Sequence, residues 1–421
     1  MTSTPSSSYA DSARLVMERC DQLGSYSEEA DRRTRRYGTE AMRQANDAVK
    51  GWMLAAGMHP RQDAIGNLVA RYEAAIPGAK TLVLGSHLDT VRDAGKYDGP
   101  LGVLVALACV ERLAARSQHL PFAVELVAFA DEEGLRYHTA YLGSSAFTGA
   151  LPPEALDLTD EDGVTLREAI RAFGGDPEAA VVSGRQRDDL LGYCEVHIEQ
   201  GPLLDANDLP IGVVNGIQGQ TRAALTITGV AGHAGTVPMD LRHDALSAAA
   251  EFVAAVEQRA RNTPNLVATV GQMKVEPGAS NVIPGRVALS LDVRHLDNPA
   301  REAAVADLRA QAEDIAQRRG VSLEWQVVAD QPSIECSPRL TVLQGDVVAA
   351  AGHTVAILSS GAGHDAVMMA TLTEIAMFFV RCKGGVSHSP AESVALEDVA
   401  VAIEALERFI LLLADGGDAA T

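Results

Sequence analysis

The spacing of apolar residues shifts from a helical period to a strand period within the first third of the chain. Residues 11–24 and 40–57 repeat apolar positions at intervals of three and four, and each segment has a glycine near its end, so we predict two helices. Short apolar runs follow, separated by a further helical segment. In chain order they are a strand at 81–86, a helix at 102–116 and strands at 122–130 and 193–198. Strands alternating with helices predict an α/β sheet with helices on both faces.

A second pattern begins near residue 216. It has the order β-α-β-β-α-β, which is the ferredoxin-like arrangement, over roughly 110 residues. The strands lie at 219–229, 266–275, 286–296 and 322–328, and the helices at 241–261 and 299–320. Afterwards the segments TVAILSSGAGHDA and IAMFFVRC return to buried strands followed by turns. We therefore predict an α/β protein with a large domain, residues 1–215 and 329–421, and a smaller domain, residues 216–328, inserted into it.

Composition supports two domains and excludes several classes of protein. A chain of 421 residues with 47% apolar residues is long for one domain and ample for a substantial core. No uncharged apolar stretch approaches the roughly 18 residues of a membrane helix, and the start of the chain lacks a basic region followed by an apolar one, so we expect a cytoplasmic protein. The five cysteines are odd in number and show no CxxC spacing, which indicates buried thiols rather than disulfides or a thiolate zinc site.

The net charge narrows the range of partners. A formal charge of -21 would repel phosphates, so we expect neither nucleic acid nor an anionic membrane as a partner. A small anionic substrate remains compatible with this charge, because a few arginines in a cleft can reverse its sign locally.

The segment FADEEG places three acids, Asp131 to Glu133, directly after a predicted strand. Adjacent carboxylates repel one another unless a positive group lies near them. Histidines or carboxylates follow other predicted strands of the large domain too. They are His87 and Asp89, then His197, Glu199 and Gln200, and finally His388. The carboxyl ends of strands in an open α/β sheet are where ligands bind.

Taken singly, each of these groups has an ordinary explanation. His87 with Asp89 is more often a hydrogen-bonded pair, Glu132 with Glu133 a solvated turn, and a histidine inside an apolar strand a satisfied core residue. Together, imidazole and carboxylate without cysteine suit zinc, manganese, cobalt or nickel. Asp98, beside a glycine and just before a helix, either marks a turn or bridges two cations.

Six motifs resemble those of one enzyme family. They are GSHLDTVRDAGKYDGPLGV, FADEEG, EVHIEQGP, AGHAGTVPM, PGASNVIPG and GGVSHSPAE. Their sequences and order are similar to the hydantoinase/carbamoylase branch of the aminoacylase-like, two-metal amidohydrolases, which includes allantoate amidohydrolase, N-carbamoyl-L-amino acid hydrolase and β-ureidopropionase. The resemblance covers nearly the whole chain.

The resemblance implies two divalent metal ions per subunit, zinc or manganese, with cobalt or nickel also suitable. The implied ligands are Asp98 as a bridge, His87 and His197 on one ion, and Glu133 and His388 on the other. Glu132 would be the general base, and Asp89 would orient His87. Two dications would then offset the repulsion among the acids of FADEEG, with Asp131 structural.

The resemblance also implies substrate-binding residues. In the inserted domain, Arg222, Asn281 and Arg294 would hold a substrate carboxylate, and His233 would polarise the scissile carbonyl. In the large domain, Gln200 would lie near the metals, and Gly361 and His364 would belong to a pocket wall. Without the resemblance, Arg294 could equally be an ordinary surface residue. The chain departs from the pattern before the last histidine, where it has Arg381 and Cys382, and after it at Ser389.

We therefore expect hydrolysis of the ureido C–N bond of an N-carbamoyl compound, with release of ammonia and carbon dioxide. Allantoate is the leading substrate, and an N-carbamoyl-L-amino acid or β-ureidopropionate is the alternative. A dipeptidase or aminoacylase is a more distant reading, and a binding protein without turnover belongs to a different class. The resemblance further implies a homodimer formed through the inserted lid and dimerisation domain, with active sites shared between chains.

Overall fold

A computed structural model describes residues 8–182 and 184–416, and its chain divides into two units. The larger unit contains the chain up to Asn215 and from Cys336 onward, and the smaller unit is Gly216–Glu335. Among the described residues, no helix is long and apolar enough to cross a membrane.

The first part of the larger unit alternates strands with helices. Its helices are α1 (Tyr9–Gly24), α2 (Glu40–Ala55), α3 (Pro100–Ala115), α4 (Leu142–Thr148), α5 (Leu166–Phe173), α6 (Pro177–Ala180) and α7 (Leu203–Ala206). Its strands are β1 (His59–Gln62), β2 (Leu68–Tyr72), β3 (Thr81–His87), β4 (Ala123–Phe129), β5 (Leu190–Ile198) and β6 (Ile211–Ile217), the last of which crosses the unit boundary. The predicted strands and helices of this part are present, whereas β1, β2 and β6 were not predicted.

The smaller unit is an antiparallel sheet with two helices. Its strands are β7 (Gly219–Thr228), β8 (Gly232–His233), β9 (Val267–Thr269), β10 (Met273–Glu276), β11 (Val282–Ile283), β12 (Arg286–His295), β13 (Ser322–Gln331) and β14 (Ile334–Glu335), and its helices are α8 (Ala245–Arg261) and α9 (Asn298–Arg319). The sheet has the order β10-β12-β7-β13, with β9 also beside β12, and β8 pairs separately with β11. Buried residues of β7 and β12 pack with both helices in one apolar core.

Two details of the smaller unit differ from the prediction. The single strand expected at 266–275 is two strands, β9 and β10, because Val270–Gln272 around Gly271 interrupt the pairing. The boundary expected at 328/329 lies after Glu335, because β13 continues past a bulge to Gln331. Asp330 in this extension pairs with the buried Arg301, so polar residues that look like a turn in the sequence are still part of the sheet.

The chain then completes the larger unit with α10 (Pro338–Ala350), β15 (Ile357–Ser360), α11 (Ala366–Met369), β16 (Ile375–Val380) and α12 (Leu396–Ala414). As far as the structure describes the chain, the sheet has nine strands in the order β1-β2-β4-β3-β5-β16-β6-β14, and β15 also pairs with β6. β15 was expected to be buried, but Ile357 is 60% exposed because this short strand pairs only at the edge. Strands β3 and β4 are buried along their whole length, as expected for parallel strands covered on both faces.

Candidate metal centre and substrate-binding residues

The carboxyl ends of parallel strands converge at one edge of the larger unit's sheet. Strands β4, β3, β5 and β16 are parallel neighbours in that order. His87 is the last residue of β3, Glu132 and Glu133 follow β4, and His197 is near the end of β5. His388 follows β16 and reaches the same place. The structure therefore brings these five side chains together, whereas the carboxylate of Glu199 accepts hydrogen bonds from the amides of Leu203 and Leu204 instead.

Asp98 lies at the centre of this cluster. Its Oδ1 is 3.1 Å from Nε2 of His197 and 3.7 Å from Nε2 of His87. Its Oδ2 is 3.1 Å from Nε2 of His388, and that nitrogen is 3.4 Å from Oε1 of Glu133. The two oxygens of one carboxylate thus face two separate groups of ligand atoms.

The two buried histidines present a fixed nitrogen to Asp98. Nδ1 of His87 lies 3.1 Å from the carbonyl oxygen of Asp89, and Nδ1 of His197 lies 2.9 Å from that of Ile198. An imidazole whose Nδ1 donates to a carbonyl leaves Nε2 unprotonated and free to bind a metal. Gly99 makes room for this arrangement, because a Cβ at that residue would lie 2.5 Å from the His87 ring.

The donor set fits divalent metal ions. Oδ1 of Asp98 is buried and has no hydrogen-bond partner in the part of the chain that the structure describes. Ligand atoms lie within metal-binding distance of one another in two groups that share this residue. They are His87, Asp98 and His197, and Asp98, Glu133 and His388. Imidazole and carboxylate groups suit zinc and manganese.

The electrostatics of the cluster follow from burial and from its mixed charges. Burial opposes ionisation of Asp98, but the nearby imidazoles of His197, His388 and His87 hold the pKa of its carboxyl well below the usual range. Hydrogen bonds to Asp98 and Glu133 raise the pKa of His388 to about 10. Burial raises the pKa of Glu132 well above its usual range, while His87 opposes that shift and Glu133 adds to it.

Asp89 connects two strand ends. Its Oδ1 and Oδ2 each accept a hydrogen bond of 3.0 Å, from the amides of Glu132 and Glu133 respectively. Its Oδ1 is also 3.4 Å from Nδ1 of His87, which is the contact expected of a residue that orients this imidazole. Asp131 does not line the cavity, and within residues 8–182 and 184–416 its buried carboxyl group has no hydrogen-bond partner.

Gln200 and Ser387 hold the Asp98 carboxylate from the other side, and Glu392 holds the backbone at Asp98; sequence reasoning missed Ser387 and Glu392. Nε2 of Gln200 donates to Oδ2 of Asp98 at 2.9 Å, and so does the hydroxyl of Ser387, also at 2.9 Å. Glu392 accepts hydrogen bonds from the amides of Tyr97 and Asp98 at 2.8 and 3.2 Å. Glu392 stands in the GGVSHSPAE motif, so an acid four residues after the last histidine was an available signal.

The loop after β15 supplies the cavity wall through different residues from those expected. Ala362 and Gly363 line the cavity, whereas Gly361 does not. His364 is 1% exposed, stands 4.5 Å from His197 between ring centroids, and bonds Ser360 at 2.7 Å. This histidine therefore packs behind His197 and does not line the cavity.

Two of the expected substrate residues are adjacent in the smaller unit. His233 ends β8 and Asn281 directly precedes β11, the strand that pairs with β8, and the amide of Ala234 donates to the carbonyl of Asn281 at 3.0 Å. Nδ1 of His233 accepts a hydrogen bond of 3.1 Å from the amide of Gly235. That contact leaves the proton on Nε2, which makes His233 a hydrogen-bond donor.

The two arginines meet at one carboxylate. Nε of Arg222 is 3.2 Å from Oδ2 of Asp292, and Nε of Arg294 is 2.9 Å from its Oδ1. These residues alternate along β7 and β12 with the residues packed against α8 and α9, so they lie on the opposite face of the sheet. Two guanidinium groups around one carboxylate leave a net positive charge, which suits a carboxylate ligand.

The departures from the family pattern have local structural roles. Arg381 makes a bidentate pair with Asp398 in the first turn of α12, at 2.7 and 2.8 Å, and a further contact to Asp208. Sγ of Cys382 faces the carbonyl of Gly201, and the Ser389 hydroxyl accepts from the amide of Ala391. These residues therefore hold the polypeptide on either side of His388.

An α/β sheet with imidazole and carboxylate ligands at its carboxyl edge defines the chain as a metallohydrolase candidate, and comparison with known proteins names the family. The profile of Peptidase family M20/M25/M40 matches residues 83–412. The chain belongs to this family and is a hydrolase. The family's hydrolases are metal-dependent, in agreement with the ligand cluster.

Individual relatives place the chain more closely. It is 40% identical to N-carbamoyl-L-amino acid amidohydrolase of Geobacillus stearothermophilus, over 91% of this chain and 94% of the relative. It is 37% identical to allantoate deiminase of Arabidopsis thaliana, over 94% and 81%. A crystal structure of a hydantoinase/carbamoylase family amidase from Burkholderia multivorans superposes with a TM-score of 0.90 at 30% identity, covering 96% of this chain and 98% of that one. The predicted family and the α/β class are thereby confirmed.

Proposed function

We propose that this protein hydrolyses the ureido C–N bond of an N-carbamoyl compound, with allantoate as the leading substrate. The observation that carries the proposal is Asp98, whose two carboxylate oxygens face separate ligand groups beside Glu132. Relatives named allantoate deiminase, at 37% identity, support this substrate. The relative named for N-carbamoyl-L-amino acids, at 40% identity, makes that class the second candidate.

The ligand groups around Asp98 suit two divalent cations, zinc or manganese. His87 and His197 would hold one, Glu133 and His388 the other, and Asp98 both. When bound, such cations polarise a carbonyl group and lower the pKa of water.

Glu132 acts as general base in this proposal. It lines the same cavity as the candidate ligands and is 8% exposed. It takes a proton from the attacking water as the water oxygen bonds to the ureido carbon, and returns it to the nitrogen that leaves. The products are an amine and a carbamate, and the carbamate decomposes to ammonia and carbon dioxide.

Recognition of the substrate's carboxylate is assigned to the smaller unit. Arg222 and Arg294 supply guanidinium forks of the kind that bind carboxylates in two-point contacts. Asn281 would add an amide donor, and His233 would donate through Nε2 to the scissile carbonyl. Within the larger unit, Gln200 lines the cavity and would contact the substrate, whereas His364, packed behind His197, would support that ligand.

We further propose that two chains form a homodimer through the smaller unit, with His233 of one chain serving the metal centre of the other. Strands β10 and β13 are the outer strands of the described sheet, and both helices pack on one face of it. The outer strand β13 exposes Val327 and Val328, which are 51% and 64% exposed. Unpaired strand edges and apolar surface of this kind are commonly covered by a second subunit.

The test is ammonia release from a panel containing allantoate, N-carbamoyl-L-amino acids, 3-ureidopropionate, a dipeptide and an N-acetyl amino acid. We expect turnover of an N-carbamoyl compound, loss of turnover after exhaustive chelation, and recovery on adding manganese or zinc. Glu132→Gln protein purified in parallel controls for contaminating hydrolases. Full activity in verified metal-free protein would refute the metal mechanism, dipeptide cleavage alone would indicate a peptidase or aminoacylase, and no turnover would indicate a binding protein.

A further inference from the structure

Tyr141 is a wall residue of the candidate centre to which no role has been given. It stands immediately before α4 and lines a cavity of about 170 Å³ together with Glu132, Glu133, His388 and Gly363. It shares this cavity with the groups that would carry the chemistry.

The backbone holds Tyr141 in an unfavourable conformation. Its φ and ψ are 64° and 27°, in the left-handed region that bulky residues rarely adopt. The loop before it closes tightly on Gly134, where a Cβ would lie 2.6 Å from the carbonyl carbon of Thr139. The Tyr141 amide then donates to the carbonyl oxygen of Glu132 at 3.0 Å, which ties the tyrosine to the segment that carries the proposed base. Strained backbone of this kind persists where the surroundings fix it, and it is concentrated in functional sites.

Gly363 gives the phenolic hydroxyl its position. A Cβ at residue 363 would lie 1.7 Å from Oη of Tyr141 and 3.0 Å from its Cζ. Only glycine leaves room for the hydroxyl at this position. The loop before α4 and the loop after β15 therefore both accommodate the Tyr141 side chain.

The hydroxyl of Tyr141 has no hydrogen-bond partner in residues 8–182 and 184–416. Two buried tyrosines in the larger unit do have one. Oη of Tyr193 donates to Glu195 at 2.9 Å, and Oη of Tyr37 donates to the carbonyl of Ile65 at 2.5 Å. Tyr141 is only partly buried, and its ring faces the cavity. A tyrosine hydroxyl in such a position normally finds a hydrogen-bond partner. For Tyr141 the partner must come from whatever enters the cavity.

We propose that Tyr141 is a catalytic residue whose hydroxyl donates a hydrogen bond to the carbonyl oxygen of the scissile group. The proposal rests on the proposed function, because it needs a carbonyl in this cavity. A tyrosine hydroxyl is protonated at neutral pH, so it can donate this hydrogen bond and keep its proton throughout. Its bond to the carbonyl oxygen strengthens as that oxygen gains negative charge when water adds to the carbon. No proton is transferred, and the hydrogen bond relaxes when the C–N bond breaks.

The test is Tyr141→Phe, which removes one oxygen atom and keeps the ring. We expect kcat to fall by about 100-fold with little change in KM, because the bond is strongest in the transition state. Metal content and thermal midpoint should match the parent protein. Tyr137→Phe is the matched control, since Tyr137 belongs to the same loop but directs its hydroxyl to the carbonyl of Thr165. That control should keep its kcat.

A binding measurement gives a second readout. In a Glu132→Gln background, substrate affinity can be measured by calorimetry without turnover, and adding Tyr141→Phe should change Kd by less than about threefold. Unchanged kcat in Tyr141→Phe would overturn the proposal. A loss of metal or of thermal stability that accounts for the lower kcat would overturn it too, and so would a Kd that rises as much as kcat/KM falls.

The choice of substrate separates this proposal from the proposed function. Each variant is compared on whichever panel compound the parent protein hydrolyses. Turnover of a dipeptide alone would reject the ureido substrate, yet the tyrosine comparison would still decide the role of Tyr141, because both classes contain a scissile carbonyl. A parent protein that hydrolyses neither class would overturn both proposals.

Discussion

At the scale of single residues, the candidate centre depends on how little freedom its side chains have. His87 and His197 are buried and fixed through Nδ1, while Asp98 receives hydrogen bonds from Gln200 and Ser387. Groups held in this way need little reorganisation when a cation or substrate arrives, which favours tight binding and rapid chemistry.

Glu132 and Glu133 allow a sharp test, because they are adjacent and chemically identical. Glu132→Gln should lower kcat by about 10² to 10⁴, since the base is lost, while the metal content stays near that of the parent protein. Glu133→Gln should instead lower the metal content, since Oε1 of Glu133 faces His388 in one ligand group. The measurements are steady-state kinetics and elemental analysis of the same preparations.

Each of these two variants is the control for the other. If Glu132→Gln loses metal and Glu133→Gln keeps it, the roles of the two acids are reversed. Equal losses of metal in the two variants would mean that both carboxylates bind metal, so that neither serves as an uncoordinated general base.

Sequence could predict the residues of the centre that follow apolar strands, because strand ends are visible as breaks in an apolar run. His87, Glu132, Glu133 and His197 are of this kind. Tyr141 could not be predicted, since its place depends on a left-handed backbone conformation and on a glycine more than 200 residues away. The buried position of His364 could not be predicted either, because it depends on how the loop after β15 folds over His197.

At the scale of elements, α3 and α12 are joined by a buried ion pair. Oε2 of Glu407 on α12 is 3.0 Å from Nε of Arg112 on α3, and their side chains are 2% and 8% exposed. Arg116, one turn further along, also contacts Glu407. Burial raises the pKa of the Glu407 carboxyl, but hydrogen bonds from Tyr9 and the two arginines bring it below its usual value.

Glu407→Gln should therefore lower the free energy of unfolding of the larger unit by about 3 to 5 kcal/mol, because Arg112 is left buried without its counter-charge. The measurement is urea unfolding followed by Trp52 fluorescence in a Trp325→Phe background, which confines the signal to the larger unit. Glu404→Gln on the same helix is the control. Its partner Arg408 is a surface contact one turn away, so the expected loss is below about 0.5 kcal/mol.

The same pair predicts a dependence on pH. Since the folded state lowers the pKa of Glu407, its contribution is complete above the unfolded value of about 4.3 and disappears as the pH falls through the folded value. The difference in stability between the parent protein and Glu407→Gln should therefore shrink in acid. If the difference in unfolding free energy stays constant down to the acid transition, Glu407 stabilises the fold through packing rather than through its charge.

The elements that sequence could predict are those with a clear period and a clear end. Strands 81–86 and 122–130 and helix 299–320 are each reproduced within two residues. Strands β1 and β2 were missed because they are short and contain charged residues, as in HPRQ and LVARY. The end of the smaller unit was predicted too early. An ion pair with Arg301 keeps Asp330 in β13, and ion pairs leave no periodic pattern in the sequence.

At the scale of the whole molecule, the proposed sharing of sites between two chains can be tested with mixed dimers. Glu132→Gln and His233→Ala are each expected to be inactive. If His233 serves the partner's centre, a mixed dimer collects both lesions in one site and leaves the other intact. Random pairing should then restore about a quarter of the parent activity.

The experiment requires proof that mixed dimers form. Different affinity tags on the two variants allow the mixed species to be purified after co-expression, and light scattering gives its mass. A purified mixed dimer without activity would show that His233 serves its own chain. A monomer at assay concentrations would reject the proposed dimer altogether.

The points at which the chain leaves and re-enters the larger unit are directly bonded to each other. The amide of Cys336 donates to the carbonyl of Asn215 at 3.0 Å, and the amide of Ser337 donates to the carbonyl of Ile375 in β16 at 2.8 Å. The backbone hydrogen bonding of the larger unit is therefore continuous at the two residues between which the smaller unit is inserted. Domain insertions are tolerated at such sites because they leave the host's own hydrogen bonds in place. A short turn in place of residues 216–335, or the corresponding unit of a relative, would replace the pairing of β6 with β14 at residues 216–217 and 334–335, but would leave the bond between Asn215 and Cys336 and the rest of the host sheet in place. If the smaller unit recognises the substrate as proposed, exchanging it at these two points would change substrate preference and leave the candidate metal ligands unchanged.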